Sequence, residues 1–144
     1  MWADTLLAFE RGHLLRLAVW AGLSTLVGGL LLSWIYARRL KAAFMSHFAI
    51  QLLAWGVVDL AIAYWSWQRL ELRDYASAMK LQQFLWLNVG LDLGYAAVGA
   101  TLVITGWKLG KRLGAVGAGL AIILQGLALF VLDVRLLTII SPSQ

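Results

Sequence analysis

An all-α, integral membrane four-helix bundle is the fold this sequence predicts, and three observations carry the prediction. Hydrophobic residues make up 62% of the 144 residues and charged residues only 13%, whereas soluble domains carry about 25% charge. The apolar residues gather in four uninterrupted runs. Most of the charges gather between or beside those runs. A chain of this composition has too few polar residues to cover a water-facing surface, which excludes an ordinary soluble enzyme and a disordered tail. The absence of cysteine excludes a disulfide scaffold and thiolate metal sites.

The runs cover residues 14–36, 44–67, 84–107 and 114–137, so the whole chain, 1–144, reads as a single four-span transmembrane domain. Each run has at least 23 residues, enough to cross hydrocarbon with some tilt. Lipid offers backbone groups no hydrogen-bond partner, so only helices or closed barrels can span it. Continuous rather than alternating apolar character selects helices, and none of the four runs contains proline.

The connections set the topology. Arg38, Arg39 and Lys41 fill the first, and Lys108, Lys111 and Arg112 fill the third, with no acid in either. The second mixes Arg69, Glu71, Arg73, Asp74 and Lys80. The positive-inside rule therefore places the first and third connections in the cytoplasm and both termini outside, with a bacterial inner membrane as the expected location. The 12 basic residues split evenly between the two sides, which leaves dual insertion open. The net charge of +5 is accounted for by these clusters, so no nucleic-acid partner is expected. Trp2, Leu6 and Phe9 share a helical face, as do Leu72, Tyr75 and Met79. Both patterns predict short interfacial helices, one at the N-terminus and one in the connection between the second and third spans.

Ionisable residues inside a span cost about 2.5–3.5 kcal/mol at its centre and are functional candidates by default. Asp59 lies eight residues before Trp67, and Asp92 lies eight after Phe84, which sets both at matching depth, about 12 Å below the outer boundary. Treating the second and third spans as antiparallel neighbours brings the carboxylates into one polar pocket in the outer half of the bundle. Asn88 and Tyr95 share a helical face with Asp92, and Trp55 stands one turn from Asp59. Two such carboxylates cannot both stay ionised at close range without a cation. The pocket is therefore expected to take a proton, a metal or alkali cation, or an amphipathic amine-bearing molecule.

From the fourth span Asp133 and Arg135 project to roughly opposite sides. Arg135 is expected to enter the pocket, because it would neutralise a double-negative site. His47, Gln51, Trp55 and Asp59 follow at spacing four, a candidate proton path from the cytoplasmic end to the pocket. Gln125 is expected to bond between helices. Close helix packing is expected at Gly90, Gly94 and Ala97 and at Gly110, Gly114 and Ala118, one of these faces being available to a second copy of the chain.

No phosphate-binding loop, zinc-binding histidine pair or dinucleotide fingerprint occurs. The metal and cofactor identity therefore stays open, and the reading leans away from an enzyme. A protein that binds or moves a cation, a proton or an amphipathic small molecule is one function the residues support. A structural or accessory subunit of a larger membrane complex, with its polar residues acting as internal glue, is the alternative. The lipid bilayer, a second copy of the chain or such a complex are the expected partners.

Overall fold

The structure, a computed structural model, describes residues 2–141. Four helices make up the described chain, with no strand among the described residues: α1 (Trp2–Ala37), α2 (Ala43–Trp67), α3 (Tyr75–Lys108) and α4 (Leu113–Ile140). All four are long and apolar enough to cross a membrane. Large apolar side chains face outward on every helix, among them Leu26 and Leu30 of α1, Val57 of α2, Leu87 and Leu91 of α3, and Val131 of α4. The interior holds small and polar groups instead, including Ala21, Ala49, Ser24, Asp59 and Gln125. A bundle stabilised by excluding water would reverse that distribution.

Tight turns make two hairpins. Arg39 (φ 50°) closes α1 onto α2, and Gly110 (φ 85°) with Lys111 (φ 54°) closes α3 onto α4. These turns and the six basic residues around them form one end of the bundle, called the basic end below. The N-terminus of α1, the segment 68–74 and the C-terminus of α4 form the other, or terminal, end.

Glycines set how closely the helices approach. A Cβ at Gly28 would lie 2.7 Å from the Leu53 nitrogen, and one at Gly56 would lie 2.7 Å from the Thr25 nitrogen, so α1 and α2 meet backbone to backbone. A Cβ at Gly99 would lie 2.7 Å from the Gly119 carbonyl oxygen, and one at Gly126 would lie 2.7 Å from that of Asp92, which joins α3 to α4 in the same way. Gly117 faces the Phe44 carbonyl and seats α4 on α2. Helix α4 also touches α1.

The backbones of α2 and α3 do not come together anywhere along their lengths. This corrects the expectation that consecutive spans are neighbours. The connection 68–74 is long enough to carry the chain past α4, which takes α2 on one side and α3 on the other. The glycine expectation changes as well. A Cβ at Gly90, Gly94 or Gly110 would meet nothing within 4 Å, so these positions are open rather than packed. Gly114 does pack, against the His47 ring.

Nor are there separate interfacial helices among the described residues. Trp2, Leu6 and Phe9 belong to the first turns of α1, whose buried stripe runs without a break through Leu6, Glu10, His13, Leu17, Ala21, Ser24 and Gly28. A lone Gly12 costs a helix only about 1 kcal/mol and does not interrupt it. Tyr75 and Met79 open α3, and Leu72 precedes it. Asp74 caps α3: its Oδ1 accepts from the Ser77 hydroxyl at 2.6 Å and the Ser77 backbone N–H at 2.8 Å.

Packing and capping give three predictions. Gly119→Val should destabilise the bundle by about 1–3 kcal/mol, because the new side chain meets backbone. Gly22→Ala, where nothing lies within 4 Å, should stabilise it by about 0.5–1 kcal/mol. Thermal unfolding in mild detergent, followed by circular dichroism, checks both. At Asp74 the hydrogen bonds from Ser77, the hydroxyl first, hold the carboxyl below its ordinary range. A lowered folded value means that the cap stabilises fully above about pH 4 and fades as the pH falls through that value. The gap in melting temperature between wild type and Asp74→Ala should accordingly narrow on acidification.

Candidate functional site

Because α4 separates α2 from α3, the two leave a cavity of about 970 Å³ between them in the half of the bundle toward the terminal end. Helix α1 contributes Glu10, His13 and Leu17 to its wall, and α4 contributes Leu129, Asp133 and Leu136. Most of the lining is apolar, with Ile62, Phe84, Leu85 and Val98 among it. Arg69 and Arg73 stand at the end formed by the segment 68–74. The Arg69 guanidinium lies over the Trp65 ring, 4.4 Å from its centroid.

Four acids line this cavity, and three of them are met by the chain itself. Glu10 Oε1 accepts from Arg73 Nε at 2.6 Å, which ties the α2–α3 connection to α1. Asp133 Oδ1 lies 3.4 Å from His13 Nε2, joining α4 to α1, and Asn88 faces the same carboxylate from α3. Asp59 Oδ2 accepts from Gln125 Nε2. Gln125 Oε1 in turn accepts from the Trp20 indole N–H at 3.1 Å. One glutamine, 1% exposed, thus links α1, α2 and α4.

Asp92 is different. It is 8% exposed, and its Oδ2 is buried with no hydrogen-bond donor reaching it among the described residues. It lies within electrostatic reach of Asp133 and Asp59, with no basic side chain bonded to it. Beside it, Trp55 and Tyr95 meet edge to face, with centroids 4.8 Å apart, and bridge the gap that the backbones of α2 and α3 leave open.

Of the residues singled out in the sequence, Asp59, Asp92, Asn88, Tyr95 and Trp55 line the cavity together. Arg135 does not: its side chain is exposed, and Asp133, 9% exposed, enters instead. The register of α4 is fixed by the face that packs, and Gln125, Gly126, Asp133, Leu136 and Leu137 are all on it. His47 is exposed at the basic end, its Nδ1 2.9 Å from the Ala43 carbonyl oxygen, and neither His47 nor Gln51 lines the cavity. Sequence reasoning missed Glu10 and His13 as wall residues. Their spacing from Leu6 and Leu17 placed them on one helical face, but the stretch before residue 14 was assigned to the interface.

Among the described residues no three His, Asp or Glu side chains are grouped so as to hold a metal ion. The arrangement provides an apolar chamber with one unmatched buried carboxylate and an aromatic pair next to it. Four apolar helices around such a cleft define the class, a small helical bundle with an acidic cavity that opens between α2 and α3. The chain belongs to a family described as a family of unknown function (DUF6992), whose model matches residues 16–134. The matched stretch holds Asp59, Asp92, Gln125 and Asp133 and stops short of Glu10 and His13. No curated protein and no solved structure matches the chain.

The polar contacts predict opposite behaviour for two substitutions. Gln125→Leu removes both interhelical hydrogen bonds and leaves Asp59 without its donor, so it should lower stability by about 1–3 kcal/mol. Asp92→Asn removes a charge that no donor meets and should keep or raise the melting temperature. Side-by-side melting curves of the two purified variants check the contrast.

Proposed function

We propose that this chain is an integral membrane protein that binds or moves a cation, a proton or an amphipathic small molecule at the cavity between α2 and α3. The outward-facing leucines and valines supply the lipid-contacting surface. The basic end then faces the cytoplasm and both termini lie outside, by the positive-inside rule, which sets the cavity in the outer half of the bundle. Helices rather than a barrel, with basic connections on one side, fit a bacterial inner membrane.

The observation that carries the reading is the cavity itself. Its volume of about 970 Å³ falls within the range of about 300–1,000 Å³ found for small-molecule sites. Its lining is mostly apolar with a few convergent polar groups, the composition such sites share. The structural-subunit reading draws on the bonds at Asp59 and Asp133, which tie helices together. It gives no account of a chamber this large or of the unmatched Asp92.

Native mass spectrometry of mildly solubilised protein tests the reading. Wild type should carry a small-molecule adduct. The double variant Gly90→Leu with Gly94→Leu should lose it, because both positions line the cavity and neither new Cβ meets an atom within 4 Å. Bare peaks from both proteins would move the assignment to a structural subunit. The same spectra give the number of copies in the assembly.

A further inference from the structure

We infer that the ligand of this cavity is a lipophilic organic amine in its protonated form, bound through N–H donation to Asp92 with its apolar body against Trp55 and Tyr95. The inference rests on the cavity reading above and narrows it to one class of molecule.

Glu10 is met by Arg73, Asp133 by His13, and Asp59 by Gln125. Asp92 lines the same wall, is more than nine-tenths buried, and has an oxygen that no donor of the chain reaches among the described residues. A buried carboxylate without a partner is strongly disfavoured; a proton would neutralise it and leave the chamber unused, whereas a cationic group from outside the chain would use both. A positive group that also donates a hydrogen bond fits that carboxylate best.

Shape and composition then separate the candidate cations. A bare metal ion needs several converging oxygen or nitrogen ligands, and no group of three His, Asp or Glu side chains is placed to supply them among the described residues. The chamber is also far larger than an ion, and its walls at Leu17, Phe84 and Leu85 are apolar. An ammonium group on a hydrocarbon body matches both features. The edge-to-face pair of Trp55 and Tyr95 presents aromatic surface one turn from Asp92, where a cation is attracted by the ring quadrupole. A quaternary ammonium would meet the rings but leave the Asp92 oxygen without a donor, which points to an amine that keeps an N–H.

Isothermal titration calorimetry of the full chain in lipid nanodiscs, with empty nanodiscs subtracted, tests this with three probes of one shape: 1-adamantylamine, 1-adamantanol and N,N,N-trimethyl-1-adamantylammonium. The amine should bind saturably and more tightly than the other two. Asp92→Asn should weaken the amine by about 10- to 100-fold, the range of a charge-assisted hydrogen bond, and leave the alcohol unchanged. Asp92→Glu should restore part of the loss. Equal affinity for amine and alcohol, insensitive to Asp92→Asn, would overturn the amine assignment while leaving the cavity as a binding site. Absence of saturable binding by all three probes to a wild type that melts normally would overturn the amine assignment and the cavity reading together.

Discussion

Gln125 is the point on which the bundle turns. An amide in an apolar interior has to find its hydrogen bonds inside the protein, because neither lipid nor packed leucine can supply them. Gln125 finds them on two different helices, accepting from Trp20 of α1 and donating to Asp59 of α2. That satisfies the amide and fixes the rotation of α4 about its own axis. With α4 so turned, Gly117 meets α2 and Gly119 and Gly126 meet α3. Asp133, two helical turns beyond Gln125, is brought to His13. The cavity is a consequence of the same placement, because a helix that packs against both α2 and α3 holds them apart.

The polar residues of the bundle accordingly do two kinds of work. The pairs Gln125–Asp59, His13–Asp133 and Arg73–Glu10 each cross from one helix or connection to another. Removing one partner of any of them leaves a buried group unsatisfied, the costly direction of change in a low-dielectric interior. Asp92 has no hydrogen bond to another helix among the described residues, and α3 is held to α4 by the backbone contacts at Gly99 and Gly126 rather than by its carboxylate. Its carboxylate therefore adds no described contact to the cohesion of the helices.

The number of helices was legible in the sequence, because an apolar run of membrane length leaves a chain few alternatives; the starts of α1 and α3 were not, since both helices begin in stretches too polar to read as part of a span. The cavity wall was legible in part. Asp59, Asp92, Asn88, Tyr95 and Trp55 could be grouped from depth and helical spacing. What spacing cannot give is how one helix is rotated against another. Asp133 and Arg135 project to opposite sides of α4, and choosing between them required knowing that Gln125 faces inward. The same ambiguity assigned packing to Gly90 and Gly94, which are open, when Gly99, Gly119 and Gly126 make the contacts. The chain order of α2 and α3 suggested adjacency, and the seven-residue segment 68–74 was long enough to defeat it.

Helix length has a consequence of its own. The 36 residues of α1 and 34 of α3 give rods of about 54 and 51 Å, against about 38 and 42 Å for α2 and α4. The tight turns join the helices at the basic end, so the surplus of α1 and α3 falls at the terminal end, where Leu6 and Glu10 of α1 are still buried. The Glu10–Arg73 bridge lies at that level. Those two stretches are where α1 and α3 exceed the length that α2 and α4 share, and the Glu10–Arg73 bridge ties the first of them to the segment 68–74.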